Sequence, residues 1–136
     1  SYLNCSPEVA GPLSWGSAKL SAYGSGSSMR GIPGDCYSPS RFVRAAYLNA
    51  HYPQKGTEEE NVSRLFHTLG GVSMVDGAAR MTDGAFEVTV YTGGFSARTN
   101  TYYHNTYDDP AIRAVVLGDF DTAGSELIVV QDRRTA

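Results

Sequence analysis

Cysteine is scarce in this chain: Cys5 and Cys36 are the two among 136 residues. Two are too few for a disulfide scaffold, and they fit a reducing compartment as well as any other. Long apolar runs are missing too. None approaches the roughly 20 residues that cross a bilayer, so no membrane partner is expected. Charge of one sign does not dominate, since eleven basic residues face fourteen acidic ones for a net charge of −3. With no basic stripe, a nucleic-acid partner is not expected either. Histidine occurs three times, at His51, His67 and His104, far apart and without HExxH or paired-cysteine spacing, so no metal is expected. The Walker pattern is absent, and Gly24-Ser25-Gly26-Ser27-Ser28-Met29 has Met where a dinucleotide fingerprint needs its third Gly. The first residues, Ser1-Tyr2-Leu3-Asn4-Cys5-Ser6-Pro7, lack a Met, a charged n-region and an apolar h-region. They read as neither a signal peptide nor a natural start, but as a chain entered in its middle.

What is present suits a globular protein, with 41% hydrophobic residues. Residues 7–34 hold many of the glycines and prolines and read as a loop-rich lead-in. One short element is expected there, at Leu20-Ser21-Ala22-Tyr23, before the turn Ile32-Pro33-Gly34-Asp35. Ser38-Pro39-Ser40-Arg41 predicts a helix start, with Ser38 as N-cap and Pro39 at the first helical position. Phe42, Val43, Ala45, Ala46 and Leu48 supply its apolar face, and Pro53 stops it. A second helix is predicted from Thr57-Glu58-Glu59-Glu60, through Val62, Leu65, Phe66 and Leu69, to Gly70-Gly71. Beyond Gly84, four β-rich runs predict strands: Phe86 to Tyr91, Thr99 to Tyr107, Ile112 to Leu117 and Leu127 to Val130. Helices followed by strands imply an α+β layered arrangement with an antiparallel sheet. There is no repeat and no linker, which makes residues 1–136 one unit.

Three groups invite a chemical reading. Cys36 sits beside a helix N-terminus, where a thiolate is favoured, yet a lone Cys in a turn is more often a small packing residue. Ser1 would be a nucleophile only if it were a true N-terminus, with its own amine as base. Arg41 and Arg44 lie in the first turns of an otherwise apolar helix and offer permanently charged, rigid forks of donors. One of them beside a sulfur nucleophile would favour its thiolate. Spacing alone favours the blander reading, a surface arginine paired with a carboxylate such as Asp35.

The stretch Gly31-Ile32-Pro33-Gly34-Asp35-Cys36-Tyr37-Ser38-Pro39-Ser40-Arg41-Phe42-Val43-Arg44 resembles the G-[LI]-P-G-D-x-[ST]-[SP]-x-S-R-F-[VI]-R segment of the choloylglycine hydrolases. That family comprises bile salt hydrolases and penicillin V acylases. Tyr37 departs from it, standing where the family has a small residue. Leu20 to Gly26, Asn61 to Leu69, Thr99 to Tyr103 and Asn105 to Arg113 are similar to further family segments in the same order. Ala50-His51-Tyr52-Pro53-Gln54 and Arg64-Leu65-Phe66-His67-Thr68-Leu69 look nearest to the bile-salt-cleaving members of gut bacteria.

The resemblance implies the αββα four-layer sandwich of N-terminal-nucleophile hydrolases, with residues 1–136 as the C-terminal portion of one such domain. It implies conjugated bile acids as substrates, cleaved at the amide to glycine or taurine by an N-terminal Cys upstream of Ser1. It also implies no cofactor, a bacterial cytoplasmic location, a homotetramer, and the missing N-terminal half as partner. Of the family's catalytic set only the late arginine maps here, onto Arg41. Arg44 matches a structural position, Cys36 a variable one, and Gly24 to Gly31 one side of the pocket. Two other readings stand beside this one: a penicillin V acylase, and a non-catalytic binding domain that keeps the sheet.

Overall fold

The computed structural model describes residues 13–20, 29, 31–53 and 55–130. The first element is a hairpin. Strand β1 (Leu13–Trp15) pairs antiparallel with β2 (Ala18–Leu20), with Leu13 opposite Leu20 and Trp15 opposite Ala18. Gly16 takes the positive φ, 60°, that a two-residue hairpin turn demands. This hairpin was not expected; of the run Leu20 to Tyr23, where one short element was, Leu20 ends β2 and Ser21 to Tyr23 lie outside the described residues. A further turn stands just ahead of the expected one at Ile32 to Asp35. Gly31 has φ 83°, and the Ile32 N–H donates to the Met29 carbonyl at 3.1 Å.

Helix α1 spans Ser38–Ala50. Its N-cap is Tyr37, not Ser38, and Tyr37 supplies no side-chain cap. The capping oxygens come from Asp35, which accepts from the Tyr37 N–H and from Ser40 Oγ, each at 2.9 Å. With that acceptor already placed, the helix starts one residue before the expected point. The predicted apolar face is corrected as well: Phe42 is 72% exposed and Val43 is also exposed. Tyr47 is buried, and Arg41, Arg44, Ala45, Leu48 and His51 are half-buried; of these Arg44 and Leu48 lie beside Gly71 at the end of α2.

Helix α2 spans Glu58–Gly70 and opens on the expected signal, a capping box. The Thr57 side chain accepts from the Glu60 N–H at 3.2 Å, and the Glu60 carboxylate accepts from the Thr57 N–H at 3.2 Å. Three acids in the first turn face the positive end of the helix dipole. Gly71 closes the helix in a right-handed conformation, φ −67°.

A second sheet of three antiparallel strands follows, in the order β3 (Tyr91–Ser96), β4 (Thr101–Thr106), β5 (Arg113–Val116). Of the run Phe86 to Tyr91, whose alternation suggested a strand, only Tyr91 enters one, β3, while Phe86 makes an isolated bridge with Arg80. From Arg80 to Val90 the backbone bonds to an irregular partner, with Glu87 N–H on the Ala79 carbonyl and Thr89 N–H on the Met74 carbonyl. Regular pairing begins where Tyr91 meets Thr106. Leu127 to Val130 forms no strand either. It is a β-rich run with no neighbouring strand among the described residues to complete its ladder, and Leu127 is 90% exposed.

Register fixes the faces of the sheet. Gly94 lies opposite Tyr103, and Ser96 opposite Thr101, on the side covered by α2. A Cβ at Gly94 would overlap Leu65 of α2, so the missing side chain lets the helix sit down on the strand. On the other face, Phe95 lies opposite Tyr102 and Gly93 opposite His104, and the Tyr102 ring covers Gly93. That second face is open, with Tyr91 and Phe95 64% and 57% exposed. Buried hydrophobic side chains among the described residues are Tyr47, Phe66 and Met74.

One polar cluster locks α2 to the β3–β4 turn. Thr99 Oγ1 and the Tyr103 hydroxyl both donate to Glu58 Oε1, at 2.5 and 2.7 Å. These bonds, Thr99 first and Tyr103 second, hold the Glu58 carboxyl below the usual glutamate range. The same carboxylate raises the Tyr103 phenol, which keeps its proton and stays a donor. A lowered folded pKa stabilises the fold above the ordinary glutamate pKa of about 4.3, and this is lost as pH falls through the lower folded value. Glu58→Gln in the complete protein should therefore show a flatter fall in melting temperature below about pH 4 than the parent. Identical acid profiles would assign that slope to other carboxylates.

Candidate active site

Arg41 is placed by the start of α1. Its N–H donates to the Tyr37 carbonyl at 3.0 Å, the first i→i−4 bond of the helix. The side chain is half-buried, and its Nε is fully buried with no hydrogen-bond acceptor among the described residues. A buried guanidinium nitrogen without an acceptor is costly, because a charged donor has left water without replacement. The Arg41 guanidinium is thus not simply a solvated surface charge. It is a permanent cation with an unused donor at Nε, suited to an anionic sulfur or to oxygen that gains charge.

The turn before it is tied from both sides. Asp35 accepts from the Tyr37 N–H and Ser40 Oγ, and these bonds, in that order, hold its carboxyl below the usual aspartate range. Arg44 Nη1 donates to the Pro33 carbonyl at 2.7 Å and to the Asp35 carbonyl at 2.8 Å. Its Nε donates to the Gly71 carbonyl at the end of α2, at 3.3 Å. Arg44 therefore spans three backbone oxygens, and what it takes from Asp35 is the carbonyl rather than the carboxylate.

The other candidates separate. Cys36 is a half-buried free thiol in the same turn. His51 and His67 each place Nδ1 at 2.7 Å from the carbonyl four residues back, Tyr47 and Ser63, which makes Nδ1–H the donor in both. These rings belong to their helices, and His51 also lies against Tyr47 with centroids 4.3 Å apart. His104 stacks on Tyr102 in the sheet, 5.6 Å between centroids. The three histidines are spread over three elements. Ser1 and Gly24 to Ser28 lie outside the described residues, while Met29 and Gly31 form the turn already described. No group of three His, Cys, Asp or Glu side chains among the described residues is placed to hold a metal ion. Among the same residues, no helix is long and apolar enough to cross a membrane.

Sequence reasoning missed Asp35 as the cap of α1 and Glu58 as the lock on the β3–β4 turn. For Asp35 a signal existed, an acidic residue just before a Ser-Pro-Ser helix start. For Glu58 there was none, since its partners stand 41 and 45 residues away.

Comparison with known proteins bears on this arrangement. A bile salt hydrolase/transferase of Bifidobacterium longum subsp. longum is 63% identical over 129 residues, covering 95% of this chain and 41% of its own length. A conjugated bile acid hydrolase of Lactobacillus acidophilus is 36% identical over 127 residues, covering 93% and 40%. A crystal structure of a conjugated bile acid hydrolase variant from Clostridium perfringens superposes with a TM-score of 0.73 at 28% identity, covering 96% of this chain and 39% of the other. A penicillin V acylase from Agrobacterium tumefaciens, at 18% identity and a TM-score of 0.57, shares the fold. The chain spans 41% or less of the length of these relatives. The profile of the linear amide C–N hydrolases of the choloylglycine hydrolase family matches residues 1–130, and this chain belongs to that family.

Proposed function

We propose that residues 1–136 are the C-terminal portion of a single choloylglycine hydrolase domain that works as a bile salt hydrolase. The observation that carries this is the 63% identity, over 95% of the chain, to a protein named a bile salt hydrolase/transferase. In this reading the helices and the three-stranded sheet contribute to an αββα four-layer sandwich. The open face bearing Tyr91, Phe95 and Tyr102 is then the one that packs on the second sheet. The upstream portion supplies the rest of the sandwich and the nucleophile.

The chemistry assigned to Arg41 follows from its charge. A thiolate upstream, its proton held on the α-amine of the same N-terminal Cys, attacks the amide carbonyl, and the tetrahedral oxyanion collapses to a thioester as glycine or taurine leaves with that proton. Water then cleaves the thioester and releases the bile acid. Arg41 favours the thiolate over the thiol and helps to align the scissile amide, both through its permanent positive charge. The family resemblance also supports a cytoplasmic homotetramer without a cofactor.

The test is direct. The complete enzyme containing this chain is incubated with glycocholate, taurocholate and penicillin V, and released glycine, taurine and 6-aminopenicillanate are measured. Release of glycine or taurine well above that of 6-aminopenicillanate is expected. Cleavage of penicillin V with the conjugates left intact would make the protein an acylase, and no cleavage of any would leave a binding domain.

A further inference from the structure

We propose that Asp35 and Arg44 are positioning residues for Arg41, an inference that rests on the catalytic reading of Arg41. Helix α1 has no side-chain cap of its own and no acidic residue in its first turn. Asp35 fills that gap from outside the helix. One carboxylate oxygen holds the N–H of Tyr37, whose carbonyl receives the Arg41 N–H, and the other holds Ser40, the residue directly before Arg41. The N-cap backbone that anchors the Arg41 N–H and the side chain of the preceding residue are thereby tied to one carboxylate.

Arg44 fixes the same turn from its carbonyl side. It lies three positions after Arg41 and donates to the Pro33 and Asp35 carbonyls, while its Nε holds Gly71. The start of α1 is thus referenced to the end of α2, which itself rests on the sheet through Leu65 over Gly94. Arg41 Nε has no acceptor among the described residues, so none of them holds that nitrogen, and the tied helix start fixes where the side chain begins. A guanidinium that must meet a sulfur from another part of the enzyme tolerates little error, since a misplacement of about 1 Å can cost on the order of 100-fold in rate.

The test is a double-mutant cycle in the complete enzyme, read as kcat and KM for taurine release from taurocholate. Asp35→Ala and Arg44→Lys should each lower kcat about tenfold and leave KM within about twofold. Arg41→Ala combined with either should be no slower than Arg41→Ala alone, because a group that acts only through Arg41 then has nothing left to aim. A role in folding alone would instead multiply the losses, and that result overturns the proposal. If Asp35→Ala does not accumulate as folded protein, Arg44→Lys, which keeps charge and helix propensity, carries the same cycle. Normal kcat in Asp35→Ala and Arg44→Lys beside a slow Arg41→Ala would reject the positioning role and leave the role of Arg41 standing. Normal turnover in Arg41→Ala would reject both.

Discussion

Arg41→Ala in the complete enzyme should lower kcat for conjugated bile acids by about 100- to 1,000-fold, the loss found when a charge-stabilising donor is removed from a reacting centre. The reason lies in what alanine cannot replace. The Nε of Arg41 is buried and meets no acceptor among the described residues, so its positive charge is not spent there on a structural ion pair. Its backbone, by contrast, is fully used, as the Arg41 N–H closes the first turn of α1 on the Tyr37 carbonyl. Alanine keeps that bond and suits a helix, so the folded state should survive while the charge is lost. Arg41→Lys should fall between the two, because it restores a cation but not the planar fork. The measurement is taurine release from taurocholate by folded variants. Parent-like turnover in Arg41→Ala would remove this residue from the mechanism.

Much of the helical part was legible because its signals are local. Thr57 and Glu60 stand three apart, and the capping box they form needs nothing beyond that turn. Strands are different, since a strand exists only where a partner exists. Phe86 to Thr89 has the composition of a strand, but its backbone partners are the irregular residues from Met74 to Met81. Gly93-Gly94 looks poor for a strand, yet lies inside β3, because Tyr102 and Leu65 occupy the space that side chains would take. The stripe of α1 was misjudged for a related reason. Hydrophobicity singled out Phe42 and Val43, which are exposed, whereas Arg44 is half-buried because carbonyl oxygens satisfy its fork.

The two arginines of the candidate site carry a different kind of signal. Spacing placed Arg41 and Arg44 on the first turns of one helix and could not tell them apart, while resemblance to a family segment did. The geometry separates them by what they touch. Arg44 spends its donors on three backbone oxygens. Carbonyl oxygens carry no residue identity, which is why a sequence offers Asp35 as the obvious partner by charge and hides the real one.

The isolated 136-residue chain should not melt as a cooperative unit. Among its described residues no large side chain is fully buried, and Tyr47, Phe66 and Met74 are the hydrophobic side chains that leave water. Against them stand Tyr91, Phe95 and Tyr102 on the open sheet face, Phe42 and Val43 on α1, and the run from Leu127 to Val130, all exposed. Ordering each residue costs about 1–2 kcal/mol of backbone entropy, and a fold meets this mainly by burying apolar area at about 25 cal/mol per Å². Here most of the area that would offset the cost remains in water. The two helices should keep part of their far-ultraviolet signal, since their caps are local, while the chain binds hydrophobic dyes and unfolds over a broad temperature range. Joined to the upstream portion, with a second sheet over Tyr91 and Phe95, the same residues should take part in one sharp transition. A sharp two-state melt of the isolated chain, with no dye binding, would show that these 136 residues need no partner for that face.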